Sequence, residues 1–110
     1  MARRLLMFDS ASEYILRHDD PCRFYYWPII GRLYRRRLEI CLDLLPGGGK
    51  VLEIGFGSGI SFPSLGQLYS EIHGADLHSD CPSVTSCFTQ RGIQVNLVNA
   101  SVMDLPYADD

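Results

Sequence analysis

The sequence has no long hydrophobic run and no hydrophobic leader. Its longest stretch of apolar and aromatic residues, positions 24–30, contains Pro28 and is far shorter than the roughly 20 residues that a membrane-spanning helix needs. Only four apolar residues, positions 5–8, follow the two arginines before the first acid, which is too few for the core of a signal peptide. We therefore expect neither a transmembrane segment nor secretion, and we expect a cytoplasmic location.

Paired metal-ligating cysteines are missing as well. The four cysteines are Cys22, Cys41, Cys81 and Cys87. Because no two of them form a Cys-x-x-Cys pair, neither a zinc site nor a disulfide scaffold is predicted, and free thiols in a reducing compartment are expected. Histidine, aspartate and cysteine also occur between positions 73 and 81, but alternate residues of a strand point to opposite faces, so no metal site is predicted there.

The charges are unevenly distributed along the chain. Residues 1–50 carry nine Lys or Arg against six Asp or Glu, a net charge of +3, and residues 51–110 carry one against seven, a net charge of −6. The basic excess comes largely from one predicted helix and is interpreted as a solvated helix face; its residues are Arg32, Arg35, Arg36 and Arg37. Because basic and aromatic residues interleave little, no nucleic-acid partner is evident.

The first 45 residues are predicted to form a helical segment. A short helix is expected over 9–17, with Ser10 or Ser12 as its N-cap, and the residues at 19–21 end it. A longer helix is expected from Ile29 to Leu45, because apolar residues form one stripe at positions 30, 33, 34, 38, 41, 42 and 45. Between the two helices lies an aromatic group that either packs against the longer helix or covers a ligand; it includes Tyr25, Tyr26 and Trp27.

From residue 46 onward, strands alternate with short helices. Strands are predicted at 51–54, 71–76 and 93–98, and helical segments at 58–69 and 80–91. This alternation is typical of a parallel sheet built from β-α-β units, so the predicted fold class is α/β. Since a parallel sheet of three strands lacks neighbours and cover, we expect residues 46–110 to be the first half of a larger domain.

The turn after the first predicted strand is rich in glycine and reads Glu53-Ile54-Gly55-Phe56-Gly57-Ser58-Gly59-Ile60. A phosphate-binding P-loop is excluded, because Leu44 stands where its first glycine is needed and Val51 where it needs Ser or Thr. The dinucleotide pattern Gly-x-Gly-x-x-Gly is incomplete, since Ile60 takes the place of its third glycine. With these two patterns set aside, the turn contains an acid followed by three alternating glycines. Such a turn lets a ligand approach the backbone.

Three segments, in order, resemble the class I S-adenosylmethionine-dependent methyltransferases: VLEIGFGSG at 51–59, HGADL at 73–77 and NASVMDLPYADD at 99–110. The resemblance covers about residues 45–110. It implies a Rossmann-like, doubly wound parallel sheet, of which this chain carries the first three strands after amino-terminal helices. It also implies S-adenosylmethionine as the cofactor.

The resemblance assigns the methionine end and the ribose to particular residues. Glu53 would attract the ammonium group, and the backbone amides of Gly55, Gly57 and Gly59 would meet the carboxylate. Asp76, at the end of the second strand, would hold both ribose hydroxyls, unless it only caps the next helix.

The adenine is expected at the loop after the third strand. Leu77 or Met103 would offer apolar contact, and Val102 would offer its backbone N–H. Ser101 stands where the family often has an acid, so its hydroxyl would be a weaker acceptor for the adenine amino group. The alternative is that Ser101 is a simple turn residue.

The predicted reaction is methyl transfer to a small-molecule or lipid acceptor. No residue of the chain is assigned as catalytic, because the acceptor pocket of similar enzymes usually lies after the fourth strand. Two other functions stay open. One is a non-catalytic binding or scaffold domain with the same fold, and the other is an NAD-type oxidoreductase, against which the missing third glycine argues.

Overall fold

The computed structural model describes residues 3–16, 20–101 and 103, and in this part of the chain one parallel sheet organises the fold. Its strands are β1 (Gly48–Ile54), β2 (Tyr69–Ala75) and β3 (Val95–Val98), hydrogen-bonded in the order β1-β2-β3. The helices are α1 (Ile30–Asp43), which precedes the sheet, α2 (Phe62–Leu68) and α3 (Cys81–Thr89). The protein is therefore an α/β structure with a partial Rossmann-like fold preceded by helices, as predicted.

The register brings the carboxyl ends of the three strands to one edge of the sheet. Ile54 pairs with Ala75, and Ala75 pairs with Val98. The ladder continues one residue further on each side, because the Gly55 N–H donates to the Ala75 carbonyl at 2.7 Å and the Asp76 N–H donates to the Val98 carbonyl at 3.1 Å. The segments that follow the three strands are thereby held next to one another.

Aromatic rings fill the core beneath this edge. Phe62 and Phe88 are both 0% exposed, and their ring centroids lie 5.2 Å apart. Phe8 joins them from the amino-terminal segment, with its ring 5.3 Å from that of Phe88 and 4.5 Å from that of Tyr14. The amino-terminal segment thus shares one core with α2 and α3.

Ahead of α1 the structure differs from the predicted helix over 9–17. Within the described residues 9–16 only one 3-10 turn forms, Ala11–Glu13, although Ser10 caps it as predicted and forms a capping box with Glu13. A second 3-10 helix spans Pro21–Tyr26, where no helix was predicted. The aromatic side chains of this segment pack tightly against the core and α1, and this packing explains why tertiary contacts override the local helix preference.

Helix α1 has nearly the predicted bounds, but part of its apolar stripe faces outward. Leu42 is buried and Leu38 is half-buried, whereas Leu33 is 68% exposed and Ile30 is exposed as well. The reason is that α1 packs against the Pro21–Tyr26 helix, where the Tyr34 and Tyr25 rings lie 5.2 Å apart, rather than lying flat on the sheet. No helix among the described residues is long and apolar enough to cross a membrane.

Phe62→Ala and Leu33→Ala should have very different effects on stability. Removing the fully buried Phe62 ring leaves a cavity between Phe56 and Phe88 and should lower the free energy of unfolding by about 3–5 kcal/mol. Leu33→Ala, on the exposed side of α1, should stay within about 0.5 kcal/mol. Urea unfolding followed by circular dichroism measures both; equal losses would contradict the described core.

Candidate functional site

The candidate site is the glycine-rich turn between β1 and α2. Gly55, Gly57 and Gly59 all adopt left-handed backbone conformations, with φ of +73°, +60° and +81°. Side chains with a Cβ rarely adopt such angles, so three alternating glycines are what this turn requires. The turn carries the chain from the carboxyl edge of the sheet back into the aromatic core.

Two of these glycines are also needed for different spatial reasons. A Cβ on Gly59 would lie 2.5 Å from a ring carbon of Phe62 and 2.7 Å from one of Phe88. Gly59 therefore serves the packing of the core. A Cβ on Gly57 would lie 3.2 Å from Oδ2 of Asp20, whereas one on Gly55 would meet no atom within 4 Å.

The amide groups of the three glycines all donate within the chain. Gly55 donates to the Ala75 carbonyl, Gly59 donates to the Phe56 carbonyl at 2.8 Å, and Gly57 donates to Oδ2 of Asp76 at 3.0 Å. Each of these amides has an acceptor within the chain, and their contact with a ligand carboxylate stays a prediction. The sequence pattern identified the turn correctly, but it carries no information on which acceptor each amide finds.

Asp76 fastens the end of β2 to the glycine turn. Besides the Gly57 amide, its carboxylate accepts from the backbone N–H groups of His78 at 2.8 Å and Ser79 at 3.0 Å, both at Oδ1. These bonds shape the turn that leads to α3, but the N-cap of α3 is Asp80, which accepts from the Ser83 amide. Asp76 is thus a link between two loops and not the helix cap that was the alternative.

Two residues that the sequence reasoning did not single out strengthen this link. The buried Ser79 hydroxyl donates to the Gly57 carbonyl at 2.6 Å. The Asn99 amide, from the loop after β3, donates to the carbonyls of Asp76 at 3.0 Å and Ser79 at 2.7 Å. All three segments at the carboxyl edge are therefore connected by hydrogen bonds. The sequence signal for these contacts was that the three strand ends are adjacent in a parallel sheet.

Glu53 is the acid that precedes the turn, and it is held in place from α2. The Ser61 hydroxyl, at the N-cap of α2, donates to its Oε1. Burial raises the pKa of the Glu53 carboxyl above its ordinary value, and the Ser61 hydrogen bond opposes this effect only in part. A half-buried carboxylate next to a glycine turn is suited to bind a cationic group, because such a ligand would restore part of the lost solvation.

A cavity of about 220 Å³ opens between the glycine turn and the Pro21–Tyr26 helix. Its lining comes from the end of β1, the turn, α1 and the residues around this 3-10 helix; it includes Asp20, Cys22, Tyr25, Leu38, Glu53 and Gly57. Asp20 was not predicted to belong to the site. Tyr25 packs against Tyr34 of α1 and also lines the cavity, so packing is confirmed for this residue and the covering of a ligand stays a prediction.

The residues expected at the adenine lie farther along the same edge. Leu77 is 58% exposed and directly follows Asp76, and Met103 is 89% exposed. The Ser101 hydroxyl accepts from the Met103 amide at 3.1 Å, which is the turn role that was the alternative for Ser101. Val102 lies outside the described residues.

The remaining ligand-type side chains do not form a metal site in the described part of the chain. No three histidine, cysteine, aspartate or glutamate side chains converge there. All four cysteines are free thiols, and Cys41 is the exposed one.

The comparisons with known proteins do not assign the chain to a family. No family model matches it, and neither the curated proteins nor the solved structures contain a match.

Gly59→Ala should destabilise the protein more than Gly55→Ala. Both substitutions impose left-handed strain of about 1–2 kcal/mol. At Gly59 the added methyl group also displaces two buried rings, an overpacking cost of about 1–3 kcal/mol, whereas Gly55 has open space. Chemical denaturation of the two variants measures this difference, and equal losses would show that Gly59 is not limited by packing.

Glu53→Gln should change how stability depends on pH. Because burial raises the folded-state pKa of Glu53, its protonated form favours folding below the unfolded value of 4.5, and this contribution is lost as pH rises through the folded value. The variant removes this titration and keeps an oxygen that accepts from Ser61. The free energy of unfolding of the variant, relative to that of the wild type, should therefore increase as pH rises from about 4 to 8.

Glu71→Gln is the matched control for this measurement. The hydrogen bond from His73 lowers the pKa of the exposed Glu71, so that carboxylate favours folding above its unfolded value and the effect of the variant has the opposite sign. Thermal unfolding between about pH 3 and 8 distinguishes the two, because the contribution of Glu71 is lost as pH falls below 4.5 and that of Glu53 is lost as pH rises above it. A Glu53→Gln curve parallel to that of the wild type would refute the role of burial.

Proposed function

We propose that this chain is the cofactor-binding part of an S-adenosylmethionine-dependent methyltransferase that acts on a small-molecule or lipid acceptor. The observation that carries the proposal is the cavity between the glycine turn and the Pro21–Tyr26 helix, with Glu53 in its wall, at the carboxyl edge of a parallel sheet. Ligands of open α/β sheets bind outside this edge. The ordered resemblance of the three segments supplies the identity of the ligand.

The volume of the cavity fits part of such a ligand. Whole-ligand pockets measure roughly 300–1,000 Å³, so a cavity of about 220 Å³ suits one end of an elongated molecule. In the proposal, the cavity holds the amino-acid end of the ligand, which Glu53 attracts. The nucleoside would lie along the strand ends, toward Asp76 and the exposed Leu77.

Binding of a ribose at Asp76 depends on sharing its hydrogen bonds. A carboxylate offers about four lone-pair sites, and at least three of them already receive backbone N–H groups. In the proposal, the ribose hydroxyls share or displace the Gly57 donor at Oδ2. The glycine turn would then adjust when the ligand binds.

Methyl transfer requires little acid-base catalysis from these residues. The sulfonium of the cofactor supplies an activated methyl group. The contribution of this chain is to hold the donor at a defined place, with Glu53 at one end and the edge of β2 at the other, since alignment alone can supply a large share of the rate acceleration.

A non-catalytic domain with the same fold is a second candidate, and one observation favours it. The three glycine amides and the Asp76 carboxylate already have partners within the chain, as a purely structural turn would require. The two candidates differ in ligand binding, which calorimetry measures directly.

The protein should bind S-adenosylmethionine and its demethylated product, S-adenosylhomocysteine, in calorimetric titrations, and it should not bind NAD. Asp76→Ala should lower the affinity for both ligands at least about tenfold, since each charge-assisted hydrogen bond contributes roughly 1.5–3 kcal/mol. Asp80→Ala, which removes an N-cap carboxylate outside the proposed site, is the control. Tight NAD binding without a response to the sulfonium would overturn the assignment, and silence with all three ligands would favour the scaffold.

A further inference from the structure

Asp20 brings a second carboxylate to the glycine turn from the amino-terminal segment. It is the N-cap of the Pro21–Tyr26 helix, and its Oδ1 accepts from the Cys22 amide at 2.8 Å and from the Ser58 hydroxyl at 3.4 Å. Its other oxygen, Oδ2, lies against Gly57, 3.2 Å from the point where a Cβ would stand. The two oxygens therefore occupy different surroundings, one at the helix cap and one at the turn.

The cap by itself does not require a carboxylate. Asparagine and serine are about as effective as aspartate at an N-cap, because only one oxygen acceptor is needed. Here Oδ1 makes both of the hydrogen bonds described above. The negative charge and the placement of Oδ2 against the turn are what an uncharged cap would lack.

The charged residues that line the cavity are both acids. Asp20 and Glu53 lie in its wall, and among the residues that the structure describes no lysine, arginine or histidine lines it. The same field acts on the Cys22 thiol, whose pKa burial raises to about 11, with the negative charge of Asp20 adding to the increase. Two carboxylates in a partly desolvated cavity attract a cationic group.

We propose that Asp20, together with Glu53, binds the primary ammonium group of the ligand, and that residues 20–25 are therefore part of the subsite for its amino-acid end. This inference rests on the proposed function and adds to it the residue that selects ligands with an ammonium group. The amino-terminal segment then has a binding role besides its role in the core. The turn itself admits this arrangement because Gly57 has no side chain where Oδ2 of Asp20 approaches.

The test compares Asp20→Asn with the wild-type protein in calorimetric titrations of three ligands. S-adenosylmethionine and S-adenosylhomocysteine carry the ammonium group, whereas methylthioadenosine carries the same nucleoside without it. Asparagine keeps the cap and removes the charge, so affinity for the first two ligands should fall about tenfold or more, and affinity for methylthioadenosine should change less than about twofold.

Asp80→Asn is the matched control, because Asp80 also caps a helix but does not line the cavity. It should leave all three affinities within about twofold. Thermal unfolding of each variant establishes that it is folded. Asp20→Ser, which also keeps a cap acceptor, replaces Asp20→Asn if that variant does not fold.

The outcomes separate the two proposals. If the wild-type protein binds none of the three ligands, the proposed function fails and this inference fails with it. If the wild-type protein binds S-adenosylmethionine and Asp20→Asn binds it equally well or more tightly, only the role of Asp20 is overturned. An equal loss for methylthioadenosine would also overturn it, because the effect would then act through the shape of the turn and not through the ammonium group.

Discussion

The hydrogen bonds of the Asp76 carboxylate are the interaction on which the candidate site depends. One oxygen holds the amide of Gly57, and the other holds the two amides that follow β2. The end of β1 and the end of β2 are thereby joined beyond the last rung of the sheet, and Ser79 and Asn99 add bonds from the neighbouring loops. Without this connection, the amide of the central glycine, Gly57, would lose its acceptor, and the turn would be less able to offset the conformational freedom that three glycines lose on folding.

The same turn links the site to the core. Gly59 lies where any side chain would meet the rings of Phe62 and Phe88, and Phe88 in turn contacts Phe8 of the amino-terminal segment. The position of the Pro21–Tyr26 helix over the turn is therefore a consequence of aromatic packing as much as of its own cap. Asp20 reaches Gly57 because the core draws the amino-terminal segment onto the carboxyl edge of the sheet.

The sequence predicts those parts of this arrangement that follow from period and spacing. Apolar runs that alternate with helical segments are sufficient for the three parallel strands, and the spacing of Gly55, Gly57 and Gly59 is sufficient for the turn. The sequence does not predict contacts between distant segments. The position of Asp20 against Gly57 depends on residues 37 apart, and the outward face of Leu33 depends on which side of α1 the 3-10 helix covers. The acceptors of the glycine amides are also set by the tertiary structure, and no local pattern encodes them.

Asp20 and Glu53, the two acids in the cavity, are costly for folding, and this cost helps to explain why the cavity would bind a positive group. Burial raises the pKa of Glu53, and Asp20 adds a second acid to the same cavity, whose described lining residues include no cation. Apolar or amide side chains would satisfy the packing of the cavity and the cap of the Pro21–Tyr26 helix without the cost of desolvating a carboxylate. Strain of this kind is typical of functional sites, where a ligand supplies the missing charge. A ligand with a positive group near the glycine turn would therefore stabilise the folded chain by offsetting the desolvation of Glu53 as well as by forming new contacts.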